Sequence, residues 1–444
     1  MKYNKYPCLI MAIESDLGCG RNMDVYYKNL ENSDVVLPIM VYSRLSSYQN
    51  APKWIKNKVV YNVPFTTHYL ENCYPDCKLD PDEHITHEKW TSEFIKFIYL
   101  IKKIYKNRAM WLLDHPLPIL EKAMGPHLIQ IFHGELFKIG PASYFNSENM
   151  ASFYSYDRIF ISGKLLFDEV IRHTKINPKD SRIRMTGRVL NDSLYTKELN
   201  KKHILKQFKL NPLQKTVVYA PSWESLKIWP IGKRNKDVLN LEKFCEFIKS
   251  NNLNLIIRPH PICIYQYDIK PKIIRTIKKF PNMYFDDSSS SSYYGPNKTI
   301  IAGDVLVTDL STISVDFMSL GKPAIYLYPD NSTGLWGKFF PTIEQVAAVS
   351  YVAKNFSELN SLIKKLTLTN ESLEIKLKRK ETVSYVFHNN NGTAGNIFLQ
   401  ELESYTLELM HRENSLINKL WRYLFKRNGK YKNDIINFSA RINI

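Results

Sequence analysis

The sequence predicts an α/β protein with parallel sheets, and three observations support this class. Short apolar runs alternate with stretches whose apolar residues recur at helical spacing, as in repeated strand–helix units. The apolar runs of the second half each end in a polar or proline-containing turn. The chain of 444 residues is too long for one ordinary hydrophobic core, so two or three domains are expected.

The first half of the chain contains strand candidates separated by helical segments. These candidates are residues 8–13, 35–40, 59–61, 110–113, 128–132 and 159–161. Helices are predicted over residues 92–104 and 164–173 from their apolar periodicity. The first of these helices ends in lysines, which suit the negative end of a helix dipole.

The second half repeats the pattern of strands and helices. Its strand candidates are residues 216–219, 253–257, 304–308 and 324–328. One helix is predicted over residues 241–250, with its apolar residues on one face. Another is predicted over residues 311–320, and Gly321 stops it.

The boundary between the halves is predicted near residues 195–214. This region is polar and basic, and it contains the turn signal Asn211-Pro212. The sequence therefore divides into three parts: an N-terminal domain at 1–200, a C-terminal domain at 201–400 and a basic amphipathic helix or tail at 401–444.

The net charge of +18 at pH 7 predicts a polyanionic partner. Nucleic acid, an anionic membrane face and a phosphate-rich substrate all fit such a charge. No recognisable nucleic-acid-binding motif accompanies it, and the basic residues concentrate near the C-terminus. Nucleic acid is therefore not an expected partner, while the membrane and the phosphate-rich substrate stay open.

The sequence argues against a secreted, membrane-spanning or zinc-binding protein. Six cysteines in a chain of this length do not form a disulfide framework. Cys73 and Cys77 lack a second pair at zinc-ligand spacing, so no metal site is expected. The apolar run at residues 8–13 is too short for a signal peptide, and no stretch approaches the roughly 18 apolar residues of a membrane span. The protein is expected to stay in the cytoplasm.

The segment from residue 411 to 432 combines an apolar stripe with many basic residues. The stripe consists of Leu416, Ile417, Leu420, Trp421, Leu424 and Phe425. A basic helix with aromatic residues on its apolar face can lie in an anionic membrane surface. A C-terminal helix that docks its stripe on the protein core has the same pattern. Membrane attachment would place the protein on the inner face of the cell membrane.

A strand–turn–helix pattern at residues 304–323 is the most specific motif in the sequence. A buried strand runs into a turn that contains Asp309, Ser311 and Thr312. The first main-chain N–H groups of the helix, with the two hydroxyls, can hold a diphosphate. Asp309 suits a capping or orienting role. Asp316, on the same helix, either reaches a donor hydroxyl or closes a structural network, and an ordinary capped helix has the same spacing.

Two further motifs place a histidine directly after a strand. In the first, Arg258 is a candidate phosphate contact, and His260, between two prolines, is a candidate hydrogen-bond donor or acid to a leaving phosphate. In the second, His133 is a candidate general base, and Gly134 lets the main chain approach a substrate closely. A histidine after a strand can also be simply packed or exposed.

A fourth motif, at residues 218–224, ends the first strand of the second half. Ala220 and Ser222 are small and leave room for a ligand at the strand end. Trp223 suits either stacking on a planar group or core packing.

Together these motifs resemble the CDP-glycerol and CDP-ribitol glycerophosphotransferases that build teichoic-acid-like and capsule polymers. The family order is kept by His133-Gly134, Thr186-Gly187-Arg188-Val189-Leu190-Asn191-Asp192, Tyr219-Ala220-Pro221-Ser222-Trp223, His260-Pro261, Thr308-Asp309-Leu310-Ser311-Thr312 and Lys322-Pro323. The resemblance covers about residues 128–330, with a faint echo at residues 391–394.

The resemblance implies a GT-B architecture, in which an N-terminal Rossmann-like acceptor domain and a C-terminal Rossmann-like donor domain face a central cleft. It implies His133 as the base, His260 at the donor phosphate, and Ser311 and Thr312 at the diphosphate. Such enzymes move a polyol phosphate from a CDP-activated donor to a hydroxyl of a lipid-linked or glycan acceptor and release CMP. No dedicated cofactor is implied, although a divalent cation can accompany the diphosphate.

The sequence also departs from the family pattern. Residues 135–138 replace a Thr-Pro-Leu-Lys stretch, Val189-Leu190 replaces Pro-Arg, and Arg258 stands where lysine is commoner. From that same stretch, Arg188 and Asp192 are taken as supporting residues. Because the first 125 residues or so match poorly, the donor and the acceptor stay open. A GT-B glycosyltransferase that uses a nucleotide sugar and a non-catalytic polyanion-binding protein are the alternatives.

Overall fold

The structure is a computed structural model, and it describes most of both halves of the chain. The described residues are 5–12, 21–42, 60–62, 94–95, 97–99, 101–103, 105–114, 116, 118–132, 152–221, 240–260, 264, 269–287, 296–308, 311, 313–327 and 348–414.

The described chain forms two parallel sheets, which confirms the predicted α/β class. The first has seven strands in the order β3-β2-β1-β4-β5-β6-β7. They are β1 Tyr6–Ala12, β2 Val36–Tyr42, β3 Val60–Asn62, β4 Met110–Leu113, β5 Leu128–Gln130, β6 Arg158–Ile161 and β7 Ile183–Met185. The second has six strands in the order β10-β9-β8-β11-β12-β13. They are β8 Thr216–Ala220, β9 Asn254–Ile257, β10 Met283–Phe285, β11 Val305–Thr308, β12 Ala324–Leu327 and β13 Tyr351–Ala353.

The central strands are hydrophobic on both faces because helices cover both sides of a parallel sheet. All residues of β4, β8, β9 and β11 are buried. Neighbouring residues of a strand enter opposite cores. Trp111 and Leu113 belong to one cluster, and Met110 and Leu112 belong to the other.

Helices connect the strands in both halves. Around the first sheet these are α1 Arg21–Leu30, α2 Pro118–Met124 and α3 Lys164–Thr174. Around the second they are α4 Lys201–Gln207, α5 Leu241–Ser250, α6 Ile269–Ile277, α7 Asn297–Ala302, α8 Ile313–Met318, α9 Phe356–Leu368 and α10 Leu373–Val386. Side chains that cap helices fix several N-termini. Asn240, for example, accepts hydrogen bonds from the main-chain N–H groups of Glu242 (3.0 Å) and Lys243 (3.2 Å).

The last described helix, α11 Ala394–Asn414, returns to the first sheet. Phe398, Leu402 and Tyr405 are buried in the core beside β1 and β4. Residues 411–414 thus belong to a helix that packs on the first half, while residues 415–444 lie outside the described ranges. The division of the chain at residues 200 and 400 stays a prediction.

The chain passes between the halves twice, and the two crossings lie side by side. The carbonyl of Ser162 accepts a hydrogen bond from the N–H of His388 (2.7 Å). Gly187 has a φ of +90°, and a Cβ there would come within 2.4 Å of the carbonyl oxygen of His388. A Cβ at Gly163 would meet the Val386 carbonyl oxygen at 2.0 Å. Glycine is therefore required at both positions.

None of the helices in the described ranges is long and apolar enough to span a membrane. The predicted strands and helices of the described core are found within a few residues of their expected positions. The prediction did not include the short strands β7, β10 and β13.

Candidate active site

Three motifs predicted from the sequence meet at one edge of the second sheet. Strands β8, β9 and β11 are neighbours, so their carboxyl ends lie together. The Pro221 carbonyl accepts a hydrogen bond from the N–H of His260 (3.1 Å), and Thr308 Oγ1 donates to the Ala220 carbonyl (2.6 Å). Ligands bind at such strand ends in open α/β sheets. This edge is therefore the candidate active site.

The fold fixes the main chain around His260. Strand β9 ends at Ile257, and the N–H of Arg258 continues the ladder by donating to the Tyr219 carbonyl (2.8 Å). Pro259 is buried, whereas His260 is half-buried. The two prolines at 259 and 261 restrict the backbone on both sides of the histidine. The imidazole is thus presented from a rigid segment at the sheet edge.

Arg258 forms a buried ion pair that the sequence did not suggest. Its Nη1 lies 2.5 Å from Asp286 Oδ2, and the two side chains are only 12% and 10% exposed. Asp286 also accepts a hydrogen bond from the buried hydroxyl of Thr299. The Arg258 guanidinium is therefore engaged within the protein, beside His260. A phosphate contact from Arg258 stays a prediction.

Asp286 and Thr299 were not identified from the sequence, because neither residue lies in a distinctive sequence pattern. Asp286 directly follows the three-residue strand β10, and a polar residue after a short apolar run was the available clue. Thr299 lies in the middle of a short helix and has no distinguishing pattern.

Ser311 is anchored at the start of α8. Its carbonyl accepts hydrogen bonds from the N–H (3.0 Å) and from the hydroxyl (2.7 Å) of Ser314. The Ser314 hydroxyl in turn accepts from Tyr326 on β12 (2.6 Å). Ser311 itself is half-buried. Ser311 is thus linked through Ser314 to the neighbouring strand β12.

Asp316 and Arg188 connect the two halves of the chain. Arg188 Nε lies 3.0 Å from Asp316 Oδ1, and the two side chains are 13% and 4% exposed. Burial raises the pKa of Asp316, while Arg188 and Asn191 act in the opposite direction. Arg188 also lies over the ring of Phe387 at 5.6 Å. These contacts place Asp316 in a network between the halves.

Asp192 caps the helix that returns to the first sheet. Its carboxylate accepts hydrogen bonds from the N–H groups of Ala394 (3.1 Å) and Gly395 (2.6 Å), at the start of α11. Burial raises its pKa, although these two hydrogen bonds lower it. A Cβ at Gly395 would come within 2.2 Å of Asn29 Oδ1. The hydrogen bond from Ala394 to Asp192 therefore gives the end of the family-like stretch at residues 391–394 a structural role.

Lys322, in the Lys-Pro motif, closes the end of another helix. Its ammonium donates to the carbonyls of Ile300 (2.9 Å), Ile301 (2.9 Å) and Gly303 (2.7 Å) at the C-terminus of α7. Burial lowers the pKa of Lys322 to about 7. The Lys322 ammonium therefore binds main-chain carbonyls of the protein itself, which is a structural role.

The tip of β5 in the first sheet has two unusual features. Gln130 is fully buried, and its side-chain amide has no hydrogen-bond partner within the described ranges. Phe132 follows with a φ of +48°, a left-handed conformation that is rare for a bulky residue. The predicted strand over 128–132 thus ends early, at Gln130. Strained backbone of this kind often accompanies functional sites, and the next residue is His133.

Five of the predicted site residues lie outside the described ranges. They are His133, Gly134, Ser222, Asp309 and Thr312. Among the described residues, no group of three or more His, Cys, Asp or Glu side chains could hold a metal ion. The roles predicted for these five residues stay predictions.

Comparison with known proteins identifies relatives of the sequence. A family model described as CDP-glycerol:poly(glycerophosphate) glycerophosphotransferase matches residues 83–400. The teichoic acid poly(glycerol phosphate) polymerase of Bacillus spizizenii is 26% identical over 191 residues, which are 39% of this chain and 45% of that protein. The minor teichoic acid biosynthesis protein GgaB of Bacillus subtilis is 26% identical over 136 residues, 29% of this chain and 14% of that protein. The matched segments span less than half the length of these relatives.

Solved structures with the same fold include a polymerase and an epimerase. The wall teichoic acid polymerase TagF superimposes with a TM-score of 0.60 at 14% identity, covering 92% of this chain and 90% of that chain. A UDP-GlcNAc 2-epimerase from Neisseria meningitidis superimposes with a TM-score of 0.55 at 12% identity, covering 90% of this chain and 100% of that chain. The expected GT-B architecture is thereby confirmed.

Proposed function

The chain belongs to the CDP-glycerol:poly(glycerophosphate) glycerophosphotransferase family, and from this premise we propose that it transfers a polyol phosphate. The donor is a CDP-activated glycerol or ribitol. The acceptor is a hydroxyl of a lipid-linked or glycan chain in the synthesis of a teichoic-acid-like or capsule polymer, and CMP is released. The observation that supports this proposal best is the convergence of three family motifs at the carboxyl edge of β8, β9 and β11.

The donor diphosphate is proposed to lie at this edge of the second sheet. Ser311 and Thr312 would bind its oxygens with the first N–H groups of the turn, and small Ala220 and Ser222 would leave room for it. His260 would donate a hydrogen bond or a proton to the phosphate of the leaving CMP. The Arg258–Asp286 pair supports this role, because it fixes the segment that carries His260.

The transfer step is proposed to be an in-line displacement at phosphorus. The acceptor oxygen forms a bond to the phosphorus that bears the polyol, and the bond from that phosphorus to the CMP oxygen breaks. His133 takes the proton of the acceptor hydroxyl, and CMP leaves with the electron pair of the broken bond. Positioning and charge stabilisation supply most of the acceleration in such reactions. Any divalent cation in this scheme arrives with the donor diphosphate.

We place the reaction in the cytoplasm, at the inner face of the cell membrane. Lipid-linked acceptors lie at that face, and the net charge of +18 favours an anionic surface. The segment of residues 411–432, with its apolar stripe and surrounding basic residues, is the attachment element predicted from the sequence.

A donor screen with purified full-length protein tests the proposed activity. CDP-glycerol and CDP-ribitol are compared with a panel of nucleotide sugars, with and without EDTA, and the released nucleotide is measured. Release of CMP from a CDP-polyol that depends on added acceptor supports the proposal. Turnover of a nucleotide sugar alone would assign the chain to sugar transfer instead. No turnover of any donor, with vesicle binding retained, would favour a polyanion-binding role.

A further inference from the structure

Asp286 lies beside Arg258 because the strands that carry the two residues are in register. Strands β9 and β10 pair in parallel, and Phe285 lies opposite Ile257. The N–H of Asp286 donates to the Ile257 carbonyl (2.9 Å), which continues this register by one residue. Asp286 and Arg258 are therefore neighbours at the strand ends, on the same face of the sheet.

The face that carries both side chains is covered by α7. Ile256, two residues before Arg258, belongs to the buried cluster that also contains Ile300 of α7. Side chains alternate between the two faces of a strand, so Arg258 lies on the same side as Ile256. Thr299 of α7 is fully buried and donates its hydroxyl to Asp286. The carboxylate is thus held between the arginine and the helix.

A single oxygen of the Asp286 carboxylate receives both contacts. This oxygen, Oδ2, lies 2.5 Å from Arg258 Nη1, and it is also the acceptor for the Thr299 hydroxyl. Hydrogen bonds that involve a charged group are roughly twice as strong as neutral ones. Asp286 therefore restrains the guanidinium, and the hydroxyl restrains the carboxylate.

His260 follows Arg258 on the same face of the sheet. The N–H of Arg258 donates to the Tyr219 carbonyl (2.8 Å), and the N–H of His260 donates to the Pro221 carbonyl (3.1 Å). This alternation is that of a parallel ladder, so residues 258 and 260 face the same side, with Cα atoms about 7 Å apart. The guanidinium and the imidazole are therefore carried together at the edge where the donor diphosphate is proposed to lie.

The Arg258 guanidinium would have more freedom without its partner. An arginine side chain is long, and its guanidinium binds phosphate oxygens as well as carboxylates. The ion pair with Asp286 restricts the guanidinium to one orientation before any donor binds. Groups that are held in place in advance accelerate a reaction more than mobile ones, because no reorientation accompanies the transition state.

We propose that Asp286 is a positioning residue for the transfer reaction. It holds the Arg258 guanidinium in place beside His260, and Thr299 holds the Asp286 carboxylate in turn. The inference rests on the proposed polyol-phosphate transfer and adds to its site two residues that act through Arg258. Asp286 is expected to contribute to kcat and not to donor binding, because Arg258 remains a cation without it.

Steady-state kinetics of the full-length Asp286→Asn variant test the positioning role. The substitution keeps the size of the side chain and removes its charge. With CDP-glycerol or CDP-ribitol as the varied donor, kcat for CMP release should fall about 10–100-fold, while KM for the donor should not rise.

Asp304→Asn is the matched control for this variant. Asp304 is half-buried and pairs with Lys201 (2.6 Å), but it lies just before β11, at the opposite edge of the same sheet. The control should keep both kcat and KM. Urea unfolding of every variant gives the folded fraction by which kcat is corrected.

Two substitutions at Thr299 test the network without removing the ion pair. Thr299→Val keeps the shape of the side chain and loses the hydroxyl, so kcat should fall about three- to tenfold, the effect of one hydrogen bond. Thr299→Ser keeps the hydroxyl and should retain most of kcat. A role in packing alone would make Thr299→Ser the slower variant, because it loses a buried methyl group.

A double-mutant cycle shows whether Asp286 acts through Arg258. Arg258→Gln should lower kcat by itself, and adding Asp286→Asn to it should change kcat by less than about twofold. The double variant is neutral at both positions, so it leaves no charge of this pair buried without its partner. Losses in kcat that multiply independently would overturn the inference.

Failure of this inference differs from failure of the proposed function. Near-normal kcat in Asp286→Asn, equal losses in Asp286→Asn and Asp304→Asn, or faster turnover by Thr299→Val than by Thr299→Ser would each overturn the positioning role. In these cases the unmodified protein still releases CMP, and the proposed function stands. Absence of CMP release from both CDP-polyols in the unmodified protein would refute the transferase proposal, and the positioning role with it.

Discussion

The strand edge of the second sheet and the crossings between the halves both contain family motifs, yet their residues have different surroundings. At the strand edge, His260 and Ser311 are held through main-chain hydrogen bonds, and both residues are half-buried. At the crossings, the side chains of Arg188 and Asp192 bind other parts of the protein. Residues of the family motifs thus lie either at the candidate active site or in the frame that joins the two halves.

This comparison predicts two kinds of mutational effect. Substitutions at the strand edge should lower the rate of turnover and leave the free energy of unfolding unchanged. Substitutions at the crossings should lower the free energy of unfolding first, and any loss of activity should follow from that.

The largest effect is expected at the two histidines. His260→Ala and His133→Ala should each lower turnover by about 10²–10⁴-fold, because each removes a proposed proton-transfer or phosphate-binding group. CMP release from the CDP-polyol measures this. The melting temperature should stay unchanged.

His203→Ala is the matched control for these variants, since His203 is exposed on α4, away from the strand edge. It should keep full activity. Near-normal turnover in His260→Ala would remove His260 from the mechanism, and the strand edge would then resemble the crossings.

The next largest effect is expected at the buried pair between the halves. Arg188→Ala leaves the Asp316 carboxylate buried without its cation, which should cost about 3–5 kcal/mol of unfolding free energy. Asp316→Asn should cost less, because the amide is neutral. Chemical denaturation measures both changes. The double variant Arg188→Leu/Asp316→Leu should be more stable than Arg188→Ala. An unchanged unfolding free energy in Arg188→Ala would show that the pair does not join the halves.

The sequence predicted the sheets well because their central strands are continuous apolar runs. Strands such as β8, β9 and β11 are buried along their whole length, and this produces a strong one-dimensional signal. The short strand β10 is only partly buried, and therefore has no comparable pattern.

The candidate site was predictable in its motifs and not in its contacts. The order of His260, Ser311 and Lys322 along the chain identified a family. The ion pair of Arg258 with Asp286 depends on which strands are neighbours in the sheet, and sequence spacing does not contain that information. The cap that Asp192 forms on α11 likewise joins residues two hundred positions apart.

A smaller effect is expected beneath the tip of β5. Gln130→Met replaces a buried amide, which lacks a partner in the described part of the chain, by an apolar side chain of similar size. Because an unpaired buried polar group is costly, the unfolding free energy should rise by about 1 kcal/mol. Thermal unfolding measures this. A large loss of stability would show that the amide has a partner that the fold requires.

An effect of similar size is expected at the cap on α11. Asp192→Ala leaves the N–H groups of Ala394 and Gly395 without their acceptor, at a cost of about 1 kcal/mol. Asp192→Asn keeps an acceptor and should retain most of the stability. Urea denaturation of the two variants compares them. Equal losses in both would mean that the negative charge, and not the hydrogen bonds, stabilises the helix start.

The smallest effect concerns the pH dependence of the same carboxyl. Burial raises its pKa in the folded protein, so the folded state holds the proton to a higher pH than the unfolded state does. The stability linked to this proton is complete below the ordinary pKa of aspartate and is lost as the pH rises through the folded value. As the pH rises above the ordinary pKa of aspartate, about 4, and through the raised pKa of the folded state, the unmodified protein should therefore lose stability relative to Asp192→Asn, which cannot ionise. If the unmodified protein instead gains stability relative to Asp192→Asn as the pH rises, the two hydrogen bonds and the helix dipole outweigh burial, and Asp192 acts as a charged cap.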